Sequence, residues 1–210
     1  MSDLGSGRYP FAEEEWLLDG SPLPPYRRTI SRRDIAAGST GIALTQANLF
    51  VYAMPVQAGD IFDFVSILVK TATATPTHSW VALYNGMTTS AALLAQSADV
   101  TTGFAANANK LQLQSVVGNV PTVGTPQGPS TPAVVASGPA VWGVALHNSG
   151  ATGAVVDGMP GGNVAGAVAL TGQLPLAMSA ALAATATAPA TLAGLTALAG
   201  ATPYVLLSRN

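Results

Sequence analysis

Few side chains in this sequence could do chemistry. Histidine occurs twice, at His78 and His147, and four carboxylates lie beyond the first forty residues: Asp60, Asp63, Asp99 and Asp157. A zinc site would have to be assembled from these, since there is no Cys, and no pair among them has a zinc-ligand spacing. Each histidine is therefore expected as a surface or strand-end residue. Asp60 and Asp63, three apart, would point to opposite faces of a strand and so could not serve one substrate as acid and base. Asp60 reads instead as the turn residue of Ala58-Gly59-Asp60, and Asp63 as an edge or interface charge.

Other catalytic patterns are missing too. There is no Gly-x-Ser-x-Gly elbow and no phosphate-binding loop, and the glycines between Gly158 and Gly166 are not framed by a strand and a helix. No catalytic residue, metal ligand or cofactor site is expected. The aromatic residues of the body fall inside apolar runs, so core packing is the expectation for each. The alternative for Trp80 and Tyr84 is an exposed platform that stacks a sugar of a host-surface glycan.

The charges divide the chain in two. Residues 1–40 carry eleven charges, among them Arg8, Arg27, Arg28, Arg32 and Arg33; residues 41–210 carry seven. A free domain of that size displays roughly a quarter of its residues as charges. The body must therefore keep itself in solution with Thr, Ser, Asn and Gln, or be covered by neighbours, which implies a homo-oligomer or an assembly. The net charge of −2 gives no long-range attraction to nucleic acid. Pro160, Pro175, Pro189 and Pro203 break the uncharged stretch from Gly158 to Ser208, so no membrane-inserted helix is expected.

Residues 1–40 read as an extended anchoring arm. Ser21 to Tyr26, with three prolines, takes an extended course because each ring fixes its own φ and restrains the residue before it. Tyr9, Phe11, Trp16, Leu17 and Tyr26, with Arg27, Arg28, Arg32 and Arg33, are the expected docking contacts. The arm is too aromatic for a solvated linker. It is either a peptide that orders on a partner or a strap across its own domain.

From Gly41 onward, apolar runs of five to ten residues alternate with Gly, Pro, Asn and Thr, the pattern of many short strands. The expected fold class is all-β: a jelly-roll-like antiparallel β-sandwich of about eight strands over residues 41–210. In Val141 to His147 the bulky Trp142, Val144 and Leu146 share one face, and Gly143 and Ala145 the other, so a second surface can approach the small face closely. Asn48 to Met54 is apolar on both faces, which predicts core on one side and a cover on the other: the arm, a loop or a neighbouring subunit. Asn85 to Thr89 reads as a turn with Asn85 and Gly86 suited to positive φ. Residues 118–138 and 150–172 read as long surface loops. Residues 189–200 fit a short capped helix and a loop equally well.

The order of these segments resembles a known family. The strand pair around Ala58-Gly59-Asp60, then WVALYN (Trp80 to Asn85), LLAQSADVT (Leu93 to Thr101), FAANANKLQL (Phe104 to Leu113), AVWGVALHN (Ala140 to Asn148) and PATLAG (Pro189 to Gly194) are similar to jelly-roll modules in virion proteins of tailed actinobacterial phages. Such modules occur in minor tail, head-fibre and capsid decoration proteins. The resemblance spans residues 40–208, excludes the arm, and departs from the pattern between Gly150 and Ala180. It implies a non-enzymatic structural or adhesive component on the particle surface, docked on other virion proteins.

Overall fold

A computed structural model describes residues 26–29, 40–115, 134–138, 140–159, 177–198 and 202–209. The fold is all-β and every strand pairing is antiparallel, with no helix among the described residues. The strands in chain order are β1 (Tyr26–Arg28), β2 (Thr40–Ala43), β3 (Asn48–Val56), β4 (Ile61–Phe62), β5 (Phe64–Thr71), β6 (His78–Tyr84), β7 (Leu93–Ser97), β8 (Asn107–Ser115), β9 (Val134–Val135), β10 (Ala140–Ser149), β11 (Val155–Met159), β12 (Ala177–Ala181), β13 (Thr196–Ala197), β14 (Thr202–Pro203) and β15 (Val205–Ser208). That is more than the eight or so expected, because several of the extra strands are only two or three residues long.

One half of the large sheet runs β7-β6-β10-β3-β12-β13, and the other β1-β15-β5-β8, with β11 joining β5 to β2 and β14. Strand β8 links the halves. Its first part, Asn107 to Gln112, pairs with β5, and Leu113 to Ser115 pair with β7. Strands β3, β5 and β6, with only the short β4 between the first two, alternate between the halves, and their apolar side chains meet in one core. Phe50, Tyr52 and Met54 from β3, Val81 and Leu83 from β6, and Trp142, Val144 and Leu146 from β10 pack there with Val65, Ile67, Val69, Val156, Val205 and Leu207. This arrangement is consistent with a two-layer β-sandwich.

Several elements differ from the expectations. The second strand of the pair around Ala58-Gly59-Asp60, expected over Ile61 to Lys70, is split: Asp63 interrupts it, its amide bonding Ser208 O and its carbonyl accepting from Leu113 N, while β4 pairs separately with β9. Val155–Met159, expected within a loop, is strand β11, paired to β2. The Val-Val-Asp-Gly-Met run is too short and too near Gly-rich neighbours to stand out by pattern. Residues 189–198 form no helix; Leu192 is buried while Thr196 and Ala197 pair with β12. The loop after Tyr84 has no positive φ at Asn85 or Gly86; it is closed by Asn85 N donating to Ala92 O at 3.0 Å and Ala92 N donating to the Asn85 side-chain oxygen at 2.7 Å. Residues 116–133 and 160–176 lie outside the described residues.

The two-faced strand now has a cover. Leu49 and Val51, on the opposite side of β3 from Phe50 and Tyr52, join Trp80, Ala82, Tyr84, Met87, Ala91, Ala145 and Leu192 in a second cluster. Leu182, Ala188 and Leu195 pack against it. The cover is therefore the chain's own segment 182–195, one of the three options left open. Burying Leu49, Val51, Trp80, Tyr84 and Leu192 contributes on the order of 10 kcal/mol at ~1.5–3 kcal/mol each. That equals the entire net stability of a typical domain, so the face could not stay bare in the isolated chain.

Candidate functional site

The candidate residues fall in three regions: the root of the arm, the covered second face, and a polar cluster where β6 begins and β10 ends.

At the root of the arm, Tyr26–Arg28 forms an edge strand on β15, with Arg27 opposite Leu207. Thr29 secures its end, its hydroxyl donating to Pro203 O at 2.5 Å and accepting from Val205 N at 3.0 Å. The Arg27 guanidinium donates twice to the Asp60 carboxylate, Nε to Oδ2 and Nη2 to Oδ1, both at 2.8 Å. Asp60 also accepts from Gln57 N at 2.7 Å, closing the turn as its place in Ala58-Gly59-Asp60 predicted. Arg28 is half-buried. For this short stretch the strap reading is the one observed. Tyr9, Phe11, Trp16, Leu17, Arg32 and Arg33 lie outside the described residues, as does the side chain of Tyr26.

On the second face, Trp80 and Tyr84 are both 0% exposed. The indole Nε1 donates to Thr185 O and the Tyr84 hydroxyl to Pro189 O, each at 2.8 Å. Burial raises the Tyr84 phenol far above its ordinary value. Neither ring offers a face to a sugar, so these two residues do not form the stacking platform considered from the sequence. Segment 182–195 covers them and spends their polar atoms. The small face of β10 is used as the alternation predicted: a Cβ on Gly143 would stand 2.6 Å from Gly86 O and 2.9 Å from Val51 Cγ1.

The polar cluster begins with His78, whose Nδ1 meets Asp99 Oδ2 at 2.6 Å. The other Asp99 oxygen accepts from Ser79 N at 2.9 Å. A serine lies close by, but Ser149 Oγ accepts from His78 N at 3.1 Å and donates to His78 O at 3.2 Å, so it serves the backbone and not the ring. Thr77 Oγ1 lies 2.8 Å from Ser149 Oγ. A serine so engaged is not presented to a histidine base, and the trio differs from a nucleophile–base–carboxylate relay in that respect. Asn148 is buried beneath, donating to Thr73 and Ser79 hydroxyls and accepting from Ala154 N. A depression of about 310 Å³ opens beside the cluster, lined among others by Gln46, Thr75, Thr77, Ser149 and Ala184.

His147 corrects a second expectation. It is not a surface or strand-end residue but 0% exposed, because β10 continues to Ser149. Its ring stacks on Trp80 with centroids 4.9 Å apart and planes 30° from parallel. Nδ1 lies 3.1 Å from Asn48 O, while Nε2 has no hydrogen-bond partner. Burial lowers its proton affinity below the ordinary histidine value of 6.5. In the sequence, His147-Asn148-Ser149 extends an apolar strand with polar residues, and such residues inside a strand need partners.

The four carboxylates of the body all turn inward. Asp60 is 6% and Asp63 7% exposed, the Asp99 side chain is 2% exposed, and Asp157 is half-buried with Oδ1 shut off from solvent. Lys70, Lys110 and Arg209 are exposed, Lys110 lying 4.0 Å from the Phe64 ring centroid and Arg209 Nε 4.0 Å from Asp63 Oδ2. Among the described residues no three His, Asp or Glu side chains stand close enough together to hold a metal ion. No family model matches the sequence, and no curated protein matches it.

Proposed function

We propose that the chain is a non-enzymatic structural component of a tailed-phage particle, a minor tail or capsid decoration and head-fibre protein. Its β-body stands on the particle surface and its N-terminal arm docks on other virion proteins. The reading rests on the family resemblance and on one structural observation, the inward turn of every carboxylate in the body. Such a body presents Thr, Ala, Gln and Asn with few charges, a surface suited to repeated packing beside neighbours, including further copies of itself.

The covered second face supports the docking role of the arm. Segment 182–195 already seals Leu49, Val51, Trp80 and Tyr84, so the aromatic residues Tyr9, Phe11 and Trp16 are not needed as that cover. Within residues 1–40, β1 fixes residues 26–28 in the sheet. Deleting residues 2–25, outside β1, tests this. The shortened protein should fold and be missing from assembled particles; normal incorporation would refute the docking role.

A further inference from the structure

We propose that His147 is an acid-sensitive pin for segment 182–195: when the ring is protonated, the beginning of that segment detaches from the sheet before the rest of the fold gives way.

The argument starts from the tautomer. The partner of Nδ1 is the carbonyl of Asn48, which can only accept, so Nδ1 carries the proton of the neutral ring. Nε2 is then a bare acceptor, buried and without a donor. A second proton would create a cation with an N–H that has no acceptor, in a place water does not reach. The neutral ring is tolerated there; the charged one is not.

The beginning of segment 182–195 brackets this ring. Leu182 N donates to Ala47 O at 2.8 Å, one residue before the carbonyl that holds His147. Three residues after Leu182, Thr185 O accepts from the indole that stacks on His147. Water reaching a charged ring through this side must part these two anchors. The later part of the segment is held elsewhere, by Ala188 N to Gln96 Oε1, Leu93 N to Ala190 O and Leu192 N to Ala91 O. Opening is thus expected to begin at residues 182–187.

Other charges do not rescue the cation. Two titratable groups act on His147 across space: His78 on β6, which disfavours its charging, and Asp99 after β7, which favours it. Asp99 is already engaged by His78 Nδ1 and Ser79 N. Strands β3 and β10 and segment 182–195 bring no charged side chain to the ring.

Hydrogen exchange of the full-length protein, corrected for intrinsic rates, tests the proposal between about pH 7.5 and pH 5. Amides of residues 182–187 should lose protection by up to tenfold per pH unit below ~6.5, while β5 and β15 keep theirs. His147→Gln should flatten that dependence, and His78→Gln should leave it in place. With only two histidines, carbon-detected titration of the ring signals follows His147 directly and does not depend on either variant folding. Unchanged protection while His147 titrates would overturn the proposal, as would simultaneous loss across both halves of the sheet.

Discussion

Arg27 and Asp60, thirty-three residues apart, meet in a two-pronged ion pair at 2.8 Å that fastens the root of the arm to the turn between β3 and β4. The Asp60 side chain is 8% exposed and that of Arg27 30%, so one partner is sealed and the other reaches water. The pair therefore matters more to the buried carboxylate than to the guanidinium. Arg27→Ala leaves Asp60 with the Gln57 amide and should cost about 1–3 kcal/mol in urea unfolding. A loss below ~0.5 kcal/mol would show that the pair is merely a surface contact.

The same geometry separates two truncations. Removing residues 1–25 keeps β1 and should leave the melting temperature unchanged. Removing residues 1–39 deletes the Arg27 pair, the Thr29 bonds and the pairing with β15 but spares β2, and should lower the melting temperature by several degrees, at about 2–4 °C per kcal/mol for a chain this long. Equal melting temperatures for the two truncations would contradict the placement of β1.

Trp80→Ala should destabilise the body by about 3–5 kcal/mol, the range for emptying a large core site. Chemical denaturation measures this, and a glycan array run beside it checks the corrected reading of the residue. A variant of unchanged stability that had lost a sugar ligand would mean that the indole faces outward.

At Gly143 the expected effect is steric. A methyl group there meets Gly86 O and Val51 Cγ1, so Gly143→Ala must push the loop after β6 away from β10, at a cost of about 1–3 kcal/mol. Thermal melting checks this, and a neutral or stabilising result would show that the loop does not sit on that face.

Stability should also follow pH through His147. Its folded value lies below the ordinary 6.5, so beneath about pH 6.5 the unfolded chain binds the extra proton and the folded one resists it. The contribution is whole above that pH and is lost as the pH falls toward the folded value. Urea midpoints at about pH 7.5 and 5.5 should differ more for the native sequence than for His147→Gln.

Much of this architecture could be read from the sequence because burial on two faces leaves a mark. The double parity of Asn48 to Met54 announced a covered strand, and the small residues Gly143 and Ala145 announced a close approach. The identity of the cover did not show, because segment 182–195 is mostly Ala and Thr with only Leu182, Leu192 and Leu195 to mark its inward side. Strand β1 was hidden for another reason: Tyr-Arg-Arg after prolines looks like an exposed tail, and only the distant Asp60 makes an arginine there part of the sheet. The inward turn of Asp60 and Asp99 was likewise invisible, since it depends on Arg27 and His78, distant in sequence, and on the amides of Gln57 and Ser79.

The proposed function places this chain in a phage particle, with the body outside. Mass spectrometry of particles purified from the phage that encodes it, followed by cryo-electron microscopy, tests that most directly. The protein should co-purify in fixed stoichiometry, and density for the β-body should stand on the outer surface, with the N-terminal arm running into a neighbouring capsid or tail protein. Particles that are complete and infectious without the protein, or density in which the body is internal and the arm free, would contradict it.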